Sequence, residues 1–189
     1  MSAGLELRER VRGFTLIELI VVVALIAIMM GLAAPNFVRF QRSSELTGTA
    51  NALLGSMAAA RAEAMRRNRN AFVMPIDALS WRAGWRVFVD MNNDSAYTEG
   101  TDVLVMSEAA MPTSIATPGT GVNEFSDGTG KYVMFNGSGY PRKSDGSFIT
   151  SSGLELSFDA KLRRRVILSP SGRLRVCDPV RDGETSCAP

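Results

Sequence analysis

From Leu19 to Ala34 every residue is apolar or glycine, and a carboxylate, Glu18, stands at the leading edge of that run. No other stretch constrains the chain as strongly. Phe14 to Val38 wound as a helix reaches about 37 Å at 1.5 Å per residue, enough to cross a hydrocarbon core. A plain membrane anchor is one reading. A secretory signal peptide is another, with a basic start, an apolar centre and the small residues Ala33 and Ala34 near a cleavage point. Both leave Glu18 unexplained, because a lone carboxylate in hydrocarbon costs several kcal/mol. Arg8, Arg10 and Arg12 precede the run while Arg39 and Arg42 follow it, so charge bias orients it only weakly.

After Pro35 the hydrophobicity drops but a helical period persists. Leu46, Ala50, Leu53, Met57, Ala60 and Ala64 are spaced four, three, four, three and four, one stripe on one helix face. Cations crowd the end in "RRNRN", where they complement the negative helix terminus. The pattern predicts one long helix from about Phe14 to Asn68, kinked or locally melted by Pro35 between Gly31 and Asn36. Its amphipathic second half lies across a sheet, and a small face with Gly48, Gly55 and Ala58 to Ala60 suits close packing.

Strand composition follows, in "AFVMPI", "GWRVFVDM", "DVLVMSEA", "KYVMFN", "LELSFD" and "RRVILS", each bounded by turn residues. Six or seven mostly antiparallel strands are expected. "PTSIATPGTGVNEFSDGTG" and "NGSGYPRKSDGSFITSSG" read as long surface loops. The fold class is therefore α+β. The 189 residues leave room for an anchor and one ordinary domain.

Several chemistries fall away on residue content. The chain has no histidine, and both cysteines, Cys177 and Cys187, lie near the C-terminus. Histidine-based triads and zinc centres cannot be assembled, nothing marks a site for other catalysis, and no cofactor is implied. In "DMNNDSAYTEGTD", Asp90, Asn92 and Asp94 match the opening of a calcium loop. Ser95 stands at the glycine position and Thr101 at the final glutamate position, so a turn-rich hairpin loop is the better reading and no metal is assigned.

Lys161 to Arg175 holds six cations and no acid. Val166 and Leu168 alternate on one strand, and Leu174 and Val176 on the next. A three-residue loop, Pro170-Ser171-Gly172, brings all four to one face, with glycine at the left-handed position such loops favour. Arg163, Arg165, Arg173 and Arg175 then gather opposite, with Ile167 among them. Gathered guanidiniums favour an anionic partner, and no aromatic residue interleaves with them, so a nucleic acid would be met at its phosphates. A solvated edge, or a face pairing with acids on a neighbouring subunit, is the alternative.

The stretch Gly13, Phe14, Thr15, Leu16, Ile17, Glu18 and the apolar run resembles the type IV pilin family at its prepilin peptidase site. That resemblance implies a leader over residues 1–13, cleavage after Gly13, and N-methylation of the new amino terminus at Phe14. It also implies that Glu18 pairs with a terminal ammonium during assembly, which a buried charge needs. It divides the rest into a filament-core helix over 14–38, an amphipathic half over 39–68 and a β-rich domain over 69–189. "SGRLRVC" is similar to the FimT/FimU and GspH group of minor pilins and pseudopilins. Its Gly-Arg-x-Arg motif, here Gly172, Arg173, Leu174 and Arg175, implies DNA binding in natural transformation, with Arg163 and Arg165 in support. Expected partners are other pilin subunits, prepilin peptidase, the inner membrane and the DNA phosphate backbone. The expected location is the inner membrane with a periplasmic domain, and then the pilus. Outside the cytoplasm Cys177 and Cys187 are expected to form a disulfide, worth on the order of 2–3 kcal/mol in the chain-entropy model. A type II secretion pseudopilin, or a structural pilus-priming subunit without DNA binding, fits the same features.

Overall fold

The computed structural model describes residues 13–118, 124–126 and 130–188. The expected leader, apart from Gly13, and parts of the first expected loop lie outside them. Helix α1 runs from Leu16 to Arg67, within two residues of the expected start and one of the expected end. The chain divides into two compact units, Met1–Gln41 and Arg42–Pro189.

In the first unit the described side chains from Gly13 onward are exposed, including Leu19, Ile20, Val23, Ile28 and Met29. Within it the helix departs from a straight course over residues 32–35, where Pro35 removes a backbone donor. Among the described residues no single straight helix is long and apolar enough to cross a membrane. Leu16–Gly31 and Asn36–Arg67 pass that test together, by length and composition.

The second unit carries its own core. Leu46, Ala50, Leu53, Met57, Ala60 and Ala64 are all fully buried, so the expected stripe is the helix face that packs. Each buried Leu or Met contributes roughly 1.5–3 kcal/mol. Ser56 is buried too, and its hydroxyl is satisfied twice: it donates to Ala52 O at 2.9 Å and accepts from Trp85 Nε1 at 2.8 Å. The small face is a correction. Gly48 and Gly55 are exposed, with nothing within 4 Å of where a Cβ would stand. The larger side chains and alanines of the stripe meet the sheets instead.

The chain turns off the helix at Asn68, in the left-handed region at φ 51°, a common helix stop. Just before it, Glu63 bonds Arg66 at 2.7 Å and Arg67 at 2.9 Å. Hydrogen bonds from Arg66 and then Arg67 hold the Glu63 carboxyl at about 2, against an ordinary 4.5. A depressed carboxylate adds stability above its unfolded pKa and loses it as pH falls through the folded one. Unfolding stability should therefore drop between pH 4.5 and about 2, and less so in Glu63→Gln. A carbon-detected NMR titration of Glu63 with a midpoint near 4.5 would contradict the pairing.

Among the described residues eight strands follow. Strands β1 (Ala71–Pro75), β2 (Trp85–Val89), β3 (Val103–Glu108), β4 (Val133–Phe135) and β5 (Pro141–Arg142) form one antiparallel sheet in the order β3-β2-β1-β4-β5. Strands β6 (Ser152–Asp159), β7 (Leu162–Leu168) and β8 (Leu174–Cys177) form a second. Period-two alternation puts Ala71, Val73, Val87, Val89, Val133 and Phe135 in the main core. It puts Phe72, Phe88 and Met134 in a second cluster, beneath Tyr97 and Tyr132.

The two expected loops do more than cover the surface. Strand β5 lies in the second. In the first, Ile115 and Phe125 are buried in the main core, and Ala116 and Glu124 bridge to Ser157 and Gly153 on β6. Isolated apolar residues carry no period, so such a segment reads as loop until its partners are known.

Candidate functional site

Strands β7 and β8 pair in the expected register, Val166 against Val176 and Leu168 against Leu174. Val166 and Leu168 are buried, and Leu174 and Val176 pack against the core. Pro170, Ser171 and Gly172 make the turn: Gly172 N–H donates to Ser169 O at 2.8 Å and Ser169 N–H to Arg173 O at 3.0 Å. Gly172 sits at φ +82°, where an L side chain is strained. Helix α1 braces this turn through Arg61, whose Nη1 donates to Gly172 O at 3.1 Å.

Arg163, Arg165, Arg173 and Arg175 do not form one open cationic face. Arg165 is buried at 4% exposure and Glu155 beside it at 2%. Glu155 stands opposite Arg165 on β6 and accepts from it at 2.5 Å, and from Arg163 at 3.4 Å. Glu184 in the C-terminal segment pairs with Arg163 and, at 3.0 Å, with Arg165. The Arg163 and then the Arg165 hydrogen bonds hold the Glu184 carboxyl below its usual range. Ile167, between them, is fully buried. So two of the four expected guanidiniums are occupied internally, by acids that lie outside Lys161–Arg175.

The remaining two differ. Arg175 donates to the main-chain carbonyls of Ser186 and Ala188, both at 2.8 Å, and has no counter-ion among the described residues. Arg173 is exposed and makes no side-chain hydrogen bond or ion pair among the described residues. Cys177 and Cys187 are disulfide-bonded with Cα atoms 5.9 Å apart, which holds the C-terminal segment beside β8.

Sequence reasoning missed what surrounds Arg173. A Cβ on Gly172 would lie 3.4 Å from Pro141 Cδ and 3.5 Å from Arg61 Cζ, so the turn touches both helix α1 and strand β5. Arg61, and Pro141 with Arg142 and Lys143 following it in sequence, thus lie beside the turn that carries Arg173, and none of these four cations has an ion pair among the described residues. A cation on a distant helix carries no local sign that it will meet a turn near the C-terminus.

Arg164, on the inner face of β7, was not singled out either. It bonds Asp178 at 2.7 Å, Ser43 Oγ at 3.1 Å and Thr47 Oγ1 at 3.2 Å. It therefore links β7 to helix α1 and to the cap of the short helix α2 (Pro179–Asp182).

Two acids flanking the loop after β2, Asp90 and Asp102, are closed on its backbone. Asp90 accepts from Asn93 and Ser95 N–H at 2.6 and 2.9 Å, and Asp102 from Met91 and Thr98 N–H at 2.9 and 2.7 Å. Among the described residues no group of three or more acids, cysteines or histidines could hold a metal.

At the other end of the chain, Glu18 N–H donates to Thr15 Oγ1 at 3.3 Å, and Thr15 N–H donates to Glu18 Oε2 at 3.4 Å. This reciprocal pair is a capping box. Gly13 and Phe14 are exposed ahead of it.

A family model described as type II transport protein GspH matches residues 49–172, about two thirds of the chain. A prokaryotic N-terminal methylation motif matches residues 8–34. The type IV major pilin protein PilA of Myxococcus xanthus is 58% identical over 36 residues, which is 19% of this chain and 16% of that protein. Two crystal forms of the type IV minor pilin FimU of Pseudomonas aeruginosa share the fold. One has a TM-score of 0.51 at 14% identity, covering 74% of this chain and 92% of that one. The other has 0.52 at 13% identity, covering 70% and 93%.

Proposed function

The chain belongs to the GspH family, in the FimT/FimU group of type IV pilin-like proteins, and from that premise we propose that it is a minor type IV pilin whose Gly172–Arg175 turn binds DNA. The precursor is cleaved after Gly13 by prepilin peptidase and methylated at Phe14. Residues 14–38 hold it in the inner membrane with the domain on the periplasmic side, and the chain then enters a pilus among other pilin subunits. Glu18 caps its own helix in the precursor, and the new ammonium at Phe14 becomes available to it, or to a neighbour's glutamate, on cleavage. It is a filament subunit rather than a catalyst.

The observation that carries the DNA reading is Arg173: exposed, without a carboxylate partner among the described residues, and held on a turn braced by a second cation, Arg61. Guanidiniums so placed suit phosphate oxygens and, making no contact to base edges, bind without sequence preference. Arg175 adds charge beside it. Arg163 and Arg165 serve by holding the C-terminal segment in place.

A second reading has its own support. The matching family model is described as a type II transport protein, which favours a pseudopilin of a secretion system, built on the same anchor and fold.

Processing is tested by mass spectrometry of the protein extracted from membranes and sheared filaments. The expected mature chain begins at Phe14 and is one methyl group heavier than its sequence. A mature chain that keeps the leader would contradict the pilin reading in both forms. DNA capture separates the pilus reading from a structural subunit. The full chain should retard duplex DNA, and Arg173→Ala should weaken that binding.

A further inference from the structure

The hairpin beside the Gly172 turn carries two aromatic rings that the domain does not bury. Phe148 is 72% exposed and Tyr140 49%. Arg142 lies over both, its Cζ 4.0 Å from the Phe148 ring centre and 5.8 Å from that of Tyr140. Arg142 and Phe148 face each other across an isolated bridge, so the backbone sets this pairing. Pro141, between Tyr140 and Arg142, is the residue that meets Gly172.

Charge decides what such a surface accepts. Arg61, Arg142, Lys143 and Arg173 lie around the two turns without an ion pair among the described residues. A protein partner would need to bring several acids to one apolar patch. A nucleic acid strand brings phosphates and flat bases together, at the spacing of its own backbone. In a duplex the base faces are stacked on each other and closed to a protein ring. In a single strand they are open.

We infer that Phe148, with Arg142 behind it and Tyr140 beside it, is a stacking platform for single-stranded DNA whose phosphates are met by Arg173 and Lys143. The inference rests on the reading that Arg173 meets DNA, and it adds the class of strand. One base lies on the exposed ring, and the backbone passes from the hairpin to the Gly172 turn. A duplex reaches the same cations but not the ring.

The test uses the full chain in neutral detergent micelles, with fluorescence anisotropy of a labelled oligothymidylate and of a duplex of the same length. Phe148→Ala should weaken single-strand binding about tenfold, the usual effect of removing one stacking ring, and leave duplex binding unchanged. Because Phe148 is exposed, this substitution does not threaten folding. Phe148→Trp should retain single-strand affinity, and its fluorescence should be quenched by the oligonucleotide and not by the duplex. Arg173→Ala should weaken both. Equal loss for both probes in Phe148→Ala, or no loss, overturns the platform while the DNA reading stands. No loss of DNA affinity joined to loss of the variant from filaments would instead assign the ring to contact with another subunit. If the unaltered chain binds neither probe, the DNA reading fails and the platform with it.

Discussion

Glu155→Ala should destabilise the globular unit by about 3 kcal/mol or more, the cost of leaving a buried charge unpaired. Glu155 is 2% exposed and accepts from both Arg163 and Arg165, and Arg165 is itself only 4% exposed. Without it, Arg165 keeps Cys187 O at 3.0 Å and Glu184, whose side chain is 56% exposed and water-screened. That residual support keeps the loss toward the low end of the range seen for buried pairs, about 3–5 kcal/mol. Replacing both partners, as Glu155→Leu with Arg165→Met, should recover most of the loss, because two apolar groups need no counter-charge. Urea unfolding of the three proteins checks this. A single variant within about 1 kcal/mol of the parent would mean the pair is screened like a surface one.

Arg164→Ala is expected to cost about 1.5–3 kcal/mol, the range for hydrogen bonds to charged groups. Its side chain is 14% exposed and that of Asp178 15%, so neither is readily rescued by water. Loss of the guanidinium would leave Asp178 to its capping bonds with Val180 and Arg181 N–H. It would also free Ser43 and Thr47 on helix α1. Arg164→Lys should recover only part, since an ammonium lacks the planar fork that reaches three partners. Hydrogen exchange localises the effect: amides of 178–182 and of the helix near Ser43 should lose protection in the variant. Unchanged protection at both ends would show that Arg164 links nothing.

Local period made much of this molecule readable. The stripe from Leu46 to Ala64 is set by the helix repeat alone, and the β7–β8 register by alternation plus one glycine. Both lie within a few residues of the signal that announces them. What stayed hidden depends on contacts between distant segments. Glu155 stands alone among apolar neighbours in "LELSFD", and its place opposite Arg165 appears only once the β6–β7 pairing is known. Glu184 lies in the tail that the disulfide returns to β8. The count of cations in Lys161–Arg175 was right, but the count of free ones needed the fold. Arg61 and the Tyr140–Phe148 hairpin meet the Gly172 turn from far away in sequence for the same reason. One missed signal was local: Thr15-x-x-Glu18 is a capping box, whereas Glu18 was read through the apolar run and the resemblance to pilins.

In the proposed function Arg173 and Arg175 face an anionic partner, while Arg163 and Arg165 face acids of their own chain. The most direct measurement is duplex-DNA affinity of the full chain across a salt series, beside Arg173→Ala/Arg175→Ala and Arg163→Ala. Micromolar binding that weakens steeply with salt is expected of phosphate contacts. It should collapse in the double variant and survive in Arg163→Ala. No binding at low salt by the oxidised chain, or equal loss in all variants, would contradict the assignment and leave a filament subunit that does not capture DNA.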